Sequence, residues 1–115
     1  MNEMYLQLAD EFGGTKFGPF DGVEIRLGSD PDRNDITLPE SLGVIGEHVR
    51  IVKQSEDSFI VAPVERTATV YVWRANGSKP KQLSTPMAVT VGDGFSLVTA
   101  EGPRFYIVVQ EKKPY

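Results

Sequence analysis

Residues 27–38 read Leu-Gly-Ser-Asp-Pro-Asp-Arg-Asn-Asp-Ile-Thr-Leu, and this stretch decides the fold. The residues before it, Val-Glu-Ile-Arg-Leu at 23–27, alternate between apolar and polar, which predicts a half-buried strand. That alternation places Val23, Ile25 and Leu27 on one face of the strand. Asp, Pro and Asn are common turn residues, and Asp-Ile-Thr-Leu at 35–38 is β-forming. The stretch therefore predicts a strand, a polar loop and a second strand.

The same rhythm of β-forming segments and turns extends over the whole chain. The N-terminus is ambiguous, because its apolar residues fit helical spacing as well as alternation. We favour a strand, since the helix would lack an N-cap and would end at once in Gly13-Gly14. About eleven short strands with turn signals between them predict an all-β sandwich. The predicted strands are 5–9, 16–20, 23–27, 35–38, 49–54, 58–62, 69–73, 81–83, 87–90, 95–99 and 104–109.

Composition excludes several classes of function. The 115 residues contain no Cys and a single His, which excludes disulfides, thiolate zinc sites and multi-histidine metal cages. The net charge of −4 opposes nonspecific nucleic-acid binding. The chain has no signal-peptide pattern and no apolar run of about 20 residues, so we expect a cytoplasmic location without direct membrane insertion. We expect no cofactor and no bound metal.

The size of the chain predicts one domain, which we assign to residues 1–110. Residues 111–115, Glu-Lys-Lys-Pro-Tyr, have the composition of the start of a linker or a C-terminal tail. The chain is therefore compatible with a piece of a longer polypeptide or complex.

Three segments together resemble the forkhead-associated (FHA) domain family. Residues 27–38 match the family's Ile-Gly-Arg, its Asp/Pro/Asn loop and its Asp-Ile-Val-Leu. His48-Val49-Arg50-Ile51 lies at the position of the family's Ser-x-x-His and the strand that follows. Residues 89–97, Val-Thr-Val-Gly-Asp-Gly-Phe-Ser-Leu, resemble its late Leu-x-x-Gly-Asp-x-Ile-x-Leu. The resemblance implies an eleven-stranded FHA/SMAD-like β-sandwich whose loops at one end bind phosphothreonine peptides in other members.

The chain departs from the family at its phosphate ligands. Ser29 occupies the position of the family's Arg, Ile45 that of the Ser before His48, and Thr67 that of the Asn that holds the peptide backbone. Each lost hydrogen bond to a charged group is worth roughly 1.5–3 kcal/mol, so we expect phosphothreonine affinity to fall by tens- to thousands-fold. The substitutions resemble those of degenerate bacterial FHA-like domains, such as the cytoplasmic domains of type III secretion inner-membrane ring proteins. That resemblance implies assembly within a larger, membrane-anchored protein, whereas an intact site would imply signalling.

We therefore predict a noncatalytic protein–protein interaction module that acts independently of phosphothreonine and binds a protein or peptide partner. The apolar side chains of Leu42, Val44 and Ile45 suit a protein contact, although burial of that loop within the fold would explain them equally. The alternative is a phosphothreonine-binding signalling domain that uses Arg33 and Arg66 as substitute ligands. The candidate partner-binding residues are Ser29, Asp30, Arg33, Asn34, Val44, Ile45, Gly46, Arg66 and Thr67.

The resemblance assigns structural roles to Gly28, His48, Gly92 and Asp93. A lone His without a companion nucleophile indicates a scaffold residue and no catalytic site. Paired carboxylates for glycoside hydrolysis remain the weakest alternative, because the acidic residues fall mostly in turns or on outward strand faces.

Two further assignments concern the acidic loop and the aromatic strand. The Asp and Asn residues of loop 30–35 could supply oxygen ligands to calcium, but their spacing favours turn chemistry. We expect Tyr71 to pack in the core. Trp73 fits either core packing or an exposed anchor for a partner.

Overall fold

The computed structural model describes residues 2–20, 23–55, 57–65, 67–77 and 79–111. It confirms the all-β prediction, including the N-terminal strand, and its helical structure within these ranges consists of two 3₁₀ turns, Asp10–Phe12 and Glu40–Leu42. The strands are β1 Asn2–Leu8, β2 Lys16–Phe20, β3 Glu24–Gly28, β4 Ile36–Thr37, β5 Val49–Lys53, β6 Ser58–Pro63, β7 Val70–Trp73, β8 Lys81–Gln82, β9 Met87–Thr90, β10 Gly94–Leu97 and β11 Arg104–Glu111.

The strands form two sheets that pack face to face. One sheet has the order β2-β1-β11-β10-β7-β8 and the other the order β4-β3-β5-β6-β9. All described neighbours pair antiparallel except β3 and β4, which run parallel with Leu27 opposite Ile36. Strand β11 ends at Glu111, and residues 112–115 lie outside the described residues, so the predicted tail stays a prediction. Within the described ranges, no helix is long and apolar enough to cross a membrane.

The core lies between the two sheets and follows the alternation of the sequence. Phe95 and Phe105 face each other across β10 and β11, with ring centroids 5.5 Å apart, and both are fully buried. On the opposite sheet, Ile25, Leu27 and Phe59 belong to the same buried core cluster. Burying a large apolar side chain contributes about 1.5–3 kcal/mol, so this set supplies much of the stability that holds the two sheets together.

Two expectations about side-chain direction are wrong. Val23 precedes β3 and is 71% exposed, because the strand begins only at Glu24 and its inward face starts at Ile25. Tyr71 is not part of the core. Val70 and Val72 of β7 are buried instead, so Tyr71 faces the outer side of the sheet.

Trp73 lies on the same outer face and is half-buried. Its indole Nε1–H donates a hydrogen bond of 2.9 Å to the Ser96 hydroxyl. The Arg104 guanidinium lies over the indole at 4.5 Å from the ring centroid, a cation–π distance. Contacts within its own sheet therefore cover much of this aromatic side chain.

Five connections meet at one end of the sandwich, which we call the loop end. Strands β3, β6 and β10 all run toward it, and β5, β7 and β11 start from it in antiparallel register. Because β4 runs parallel to β3, the loops on both sides of β4 also emerge there. The loop end comprises the connections 9–15, 29–35, 38–48, 64–69 and 98–103, of which Arg66 is outside the described residues.

Candidate functional site

The predicted partner surface is built on two loops that hydrogen-bond to each other along their backbones. The Ser29 N–H donates to the Ile45 carbonyl at 3.0 Å, and the Asp30 N–H donates to the Gly46 carbonyl at 3.2 Å. The Asn34 amide Nδ2 donates to the carbonyls of Asp30 and Gly46, at 2.7 and 2.6 Å. Three of these bonds join loop 29–35 to loop 43–48, and the bond from Asn34 to Asp30 lies within the first loop. The backbone amides of Ser29 and Asp30 are therefore not free to bind an anion.

Gly28 allows this close approach of the two loops. A Cβ atom at position 28 would lie 2.2 Å from the Gly46 carbonyl oxygen and 2.8 Å from Asn34 Nδ2. Both separations are far below ordinary van der Waals contact. Position 28 therefore requires glycine because there is no room for a Cβ atom, and not because of a turn conformation.

His48 connects the same loops to the start of β7. Its ring is buried, with Nδ1 accepting a hydrogen bond from the Ile45 N–H at 3.3 Å and Nε2 lying 2.8 Å from the Thr69 carbonyl oxygen. A backbone amide can only donate and a carbonyl can only accept, so the ring proton is on Nε2. Burial lowers the pKa of His48, although the bond to the Thr69 carbonyl partly opposes that effect. The neutral imidazole thus acts as a bridge between loops.

The structure brings most of the predicted surface residues together at the loop end, with different degrees of exposure. Val44 is buried in the core, so its side chain packs within the fold, as one of the two interpretations expects. Arg66 lies outside the described residues. Among the other candidates, the half-buried residues are Ser29, Asp30, Asn34 and Ile45, and the exposed residues are Arg33, Gly46 and Thr67.

The charge of this surface is acidic. Within segments 29–34, 42–47 and 64–67, Arg33 is the one cation that the structure describes, and its Nε lies 3.4 Å from an Asp30 carboxylate oxygen. The carboxylates of Asp32, Glu47 and Glu65 lie on the same segments. An incoming phosphate would therefore meet negative charge and a cation that already has a partner.

The acidic loop shows turn chemistry at the oxygens that calcium would use. Asp30 Oδ1 accepts the Asp32 N–H at 2.9 Å, and Asp35 Oδ2 accepts the Arg26 N–H at 2.9 Å. Among the described residues, no group of three or more acidic, His or Cys side chains is arranged to hold a metal ion.

Asp93 performs a bridging role at the opposite end of the sandwich, in the turn that begins with Gly92. Its buried carboxylate accepts the N–H of Ala75 at 2.8 Å and of Thr90 at 3.0 Å, and pairs with Arg74 Nη1 at 3.1 Å. Burial alone would raise the pKa of Asp93. The two backbone donors and the guanidinium outweigh burial, so its pKa lies below the ordinary value.

An apolar pocket that the sequence did not predict opens at the loop end. It has a volume of about 500 Å³, within the usual range of ligand sites, and lies between connections 9–15, 38–48 and 98–103. Its walls include Phe12, which is 37% exposed, and Leu42, which is 45% exposed. The sequence signal was weak: Phe12 stands between Glu11 and Gly13, and Leu42 precedes Gly43, in loops 30 residues apart. Only the folded structure shows that these loops converge.

Comparison with solved structures identifies the fold. The FHA domain of CT664 from Chlamydia trachomatis matches with a TM-score of 0.70 and 20% identity over 92% of this chain and 96% of that domain. Human APLF's FHA domain, in complex with an XRCC1 bisphospho peptide, matches with a TM-score of 0.69 and 22% identity over 92% of this chain and 97% of that domain. EmbR of Mycobacterium tuberculosis, in complex with a low-affinity phosphopeptide, matches with a TM-score of 0.72 and 18% identity over 98% of this chain and 26% of EmbR.

The protein therefore has the fold of FHA domains, and the resemblance inferred from its three motifs is confirmed at the level of fold. No family model and no curated protein matches the sequence. At identities of 18–22%, the likeness extends to the architecture, while the chemistry of the loop end has to be argued from this chain's own residues.

Proposed function

We propose that this domain is a noncatalytic protein-interaction module that binds its partner at the loop end without requiring phosphothreonine. The observation that carries this proposal is the electrostatics of the loop end. Arg33, the one cation that the structure describes in the loop-end connections, is paired with Asp30. The other acidic residues of segments 29–34, 42–47 and 64–67 are Asp32, Glu47 and Glu65, of which Glu47 pairs with Arg26 of β3. A phosphate carries about −1.5 to −2 charges and needs several charge-assisted donors.

The residues at the resembling phosphate positions support the same conclusion. Ile45 offers a half-buried apolar side chain where the family has a hydroxyl, and Ser29 offers a hydroxyl where the family has a guanidinium. The backbone amides of Ser29, Asp30 and Ile45 already donate to neighbouring groups, so they are not free to replace the missing ligands.

The first experiment restores the two ligands. Calorimetry compares the wild type with the double variant Ser29→Arg, Ile45→Ser, using a panel of phosphothreonine peptides and matched threonine peptides. We expect no phosphate-dependent binding by the wild type. We expect the double variant to gain roughly a hundred- to ten-thousand-fold in affinity, from two charged hydrogen bonds worth roughly 1.5–3 kcal/mol each. Micromolar phosphothreonine binding by the wild type, lost in Arg33→Ala or Arg66→Ala, would establish the alternative and refute the proposal.

The second experiment tests protein binding directly. The immobilised domain is incubated with phosphatase-treated lysate of its source organism, and retained proteins are compared with those on an Ile45→Asp variant. We expect a partner that is retained after dephosphorylation and lost with Ile45→Asp. Val23→Asp, a change of an exposed apolar residue at the opposite end, is the matched control and should retain the partner. Loss of every retained protein on dephosphorylation would contradict the proposal.

A further inference from the structure

We propose that the apolar pocket at the loop end binds an unphosphorylated protein segment in which one large apolar side chain is flanked by lysine or arginine. This inference deepens the proposed function and rests on it, because it names the chemistry of the partner. In this proposal the partner's large apolar side chain enters the pocket, beside Ile45 and not on Ile45 itself.

The pocket presents apolar surface that the fold leaves partly uncovered. Phe12 and Leu42 are both more than one-third exposed at its rim, while Leu38 and Pro103 are buried at its base. Concave apolar surface of this kind is the usual receptor for an anchoring side chain at the centre of an interface. Its volume of about 500 Å³ accommodates a side chain as large as Phe or Trp.

Exposed acidic residues are close sequence neighbours of the pocket walls on all three connections. Asp10 and Glu11 precede Phe12, Glu40 lies two residues before Leu42, and Glu101 adjoins the third wall, and all four acidic residues are exposed. Connections 9–15, 38–48 and 98–103 contain no Lys or Arg, and the one His among them, His48, is buried and neutral.

One of these carboxylates is neutralised and three are not. Arg104, at the start of β11, pairs with Glu11. No ion pair joins Asp10, Glu40 or Glu101 to another residue within the described ranges. The three connections that form the pocket therefore carry net negative charge beside its apolar walls. A peptide segment with an apolar anchor and basic neighbours complements this pattern, whereas a phosphopeptide or an anionic lipid would be repelled.

The pocket wall is held in place before any partner arrives. Val98 has a φ of +75°, an uncommon conformation for a β-branched residue, and its N–H donates to the Thr69 carbonyl at 2.9 Å. Its side chain packs over Gly43, where an added Cβ would lie 3.1 Å from Val98 Cγ1. This contact holds connection 98–103 against connection 38–48. Because the two loops are already ordered, binding loses less conformational entropy.

The test begins with unphosphorylated random 12-residue peptides displayed on phage and selected on the complete chain. Enriched peptides are synthesised with fluorescein and titrated by anisotropy at 50 and 300 mM NaCl. We expect one Leu, Ile, Met, Phe or Trp with at least two Lys or Arg within four positions. Affinity should fall at least tenfold when that anchor becomes Ala, and several-fold at the higher salt, because exposed charges are screened. Enriched peptides without basic residues, or binding insensitive to salt, would overturn the proposal.

Variants of the domain locate the binding site. Leu42→Asp should weaken peptide binding at least tenfold, and Glu40→Lys with Glu101→Lys should weaken it several-fold. Because these side chains are exposed, the variants should fold like the wild type, which urea unfolding checks. Val23→Asp and Asp57→Lys make the same chemical changes at the opposite end and should stay within twofold of the wild type.

Two further outcomes separate this inference from the proposed function. If Ile45→Asp abolishes peptide binding while Leu42→Asp does not, the pocket assignment fails and the proposed function stands. If no unphosphorylated peptide binds but phosphothreonine peptides do, both the pocket assignment and the proposed function fail. Self-association in light scattering that Leu42→Asp abolishes would make a second copy the occupant, and it would overturn the basic-segment proposal.

Discussion

Replacing Gly28 by Ala tests whether the loop end depends on contact between its two backbones. The new Cβ would lie 2.2 Å from the Gly46 carbonyl oxygen, so that oxygen must retreat by more than 1 Å to reach ordinary contact at about 3.5 Å. The movement would break the bonds that the carbonyl accepts from the Asp30 N–H and from Asn34 Nδ2.

The expected loss of stability follows from these contacts. Two hydrogen bonds contribute about 1 kcal/mol each, and overpacking strain costs roughly 1–3 kcal/mol. The lower backbone entropy of Ala in the unfolded chain offsets about 0.4–1 kcal/mol. We therefore expect Gly28→Ala to lower the free energy of unfolding by about 3 kcal/mol. With a urea m-value of about 1.5 kcal/mol/M, the midpoint should fall by about 2 M.

Urea unfolding followed by Trp73 fluorescence measures this change, and Gly46→Ala is the matched control. A Cβ at Gly46 would meet no atom closer than Asp30 Cβ at 3.9 Å, so its midpoint should change by less than about 0.3 M. The control lies in the same pair of loops and adds the same methyl group. Equal stability of Gly28→Ala and Gly46→Ala, within 0.5 kcal/mol, would refute the argument from close approach.

Three further predictions concern buried polar groups. His48→Ala should lower stability by roughly 2–4 kcal/mol, because it removes two hydrogen bonds and leaves a cavity. Since its folded pKa is lowered, wild-type stability should decrease as pH falls below about 6.5, a dependence that urea titrations should find missing from His48→Ala. Asp93→Asn should cost roughly 1–3 kcal/mol at pH 7. Thermal unfolding should show the difference shrinking as pH falls below about 4, because the carboxylate of the unfolded wild type is protonated there before the folded one, whose pKa is lower. Ser96→Ala should cost about 1 kcal/mol in urea unfolding, because the Trp73 indole loses its acceptor, and an unchanged midpoint would contradict that bond.

The strands were predictable wherever alternation separated apolar from polar side chains. Segments 16–20 and 87–90 match the observed strands residue for residue, and Ile25 and Leu27 face the core as expected. The pattern failed in β7, because its apolar and aromatic residues occupy both faces. The contacts that decide which face is outward come from β10 and β11, more than 20 residues away along the chain.

The geometry of the loop end was predictable only in part. The resemblance located Gly28 and His48, but the pattern of residues did not indicate that Val44 would be buried while Leu42 stays exposed two residues earlier. That difference depends on the 3₁₀ turn Glu40–Leu42, which directs Leu42 toward the pocket before the chain returns inward. Local propensity cannot specify this, because the pocket wall opposite Leu42 comes from connection 98–103.

His48 helps to hold the backbone frame of the loop end independently of the side chains at positions 29 and 45. Its two ring nitrogens bind the Ile45 amide and the Thr69 carbonyl, both of which belong to the backbone. The side chains at 29 and 45 take no part in the hydrogen bonds between the paired loops, which use backbone atoms and Asn34. Exchanging those side chains therefore changes what the surface can bind while leaving the loop geometry nearly unchanged. A loop end whose backbone is held in this way can present an apolar and acidic surface in a fixed geometry, which is why we propose that the partner binds there.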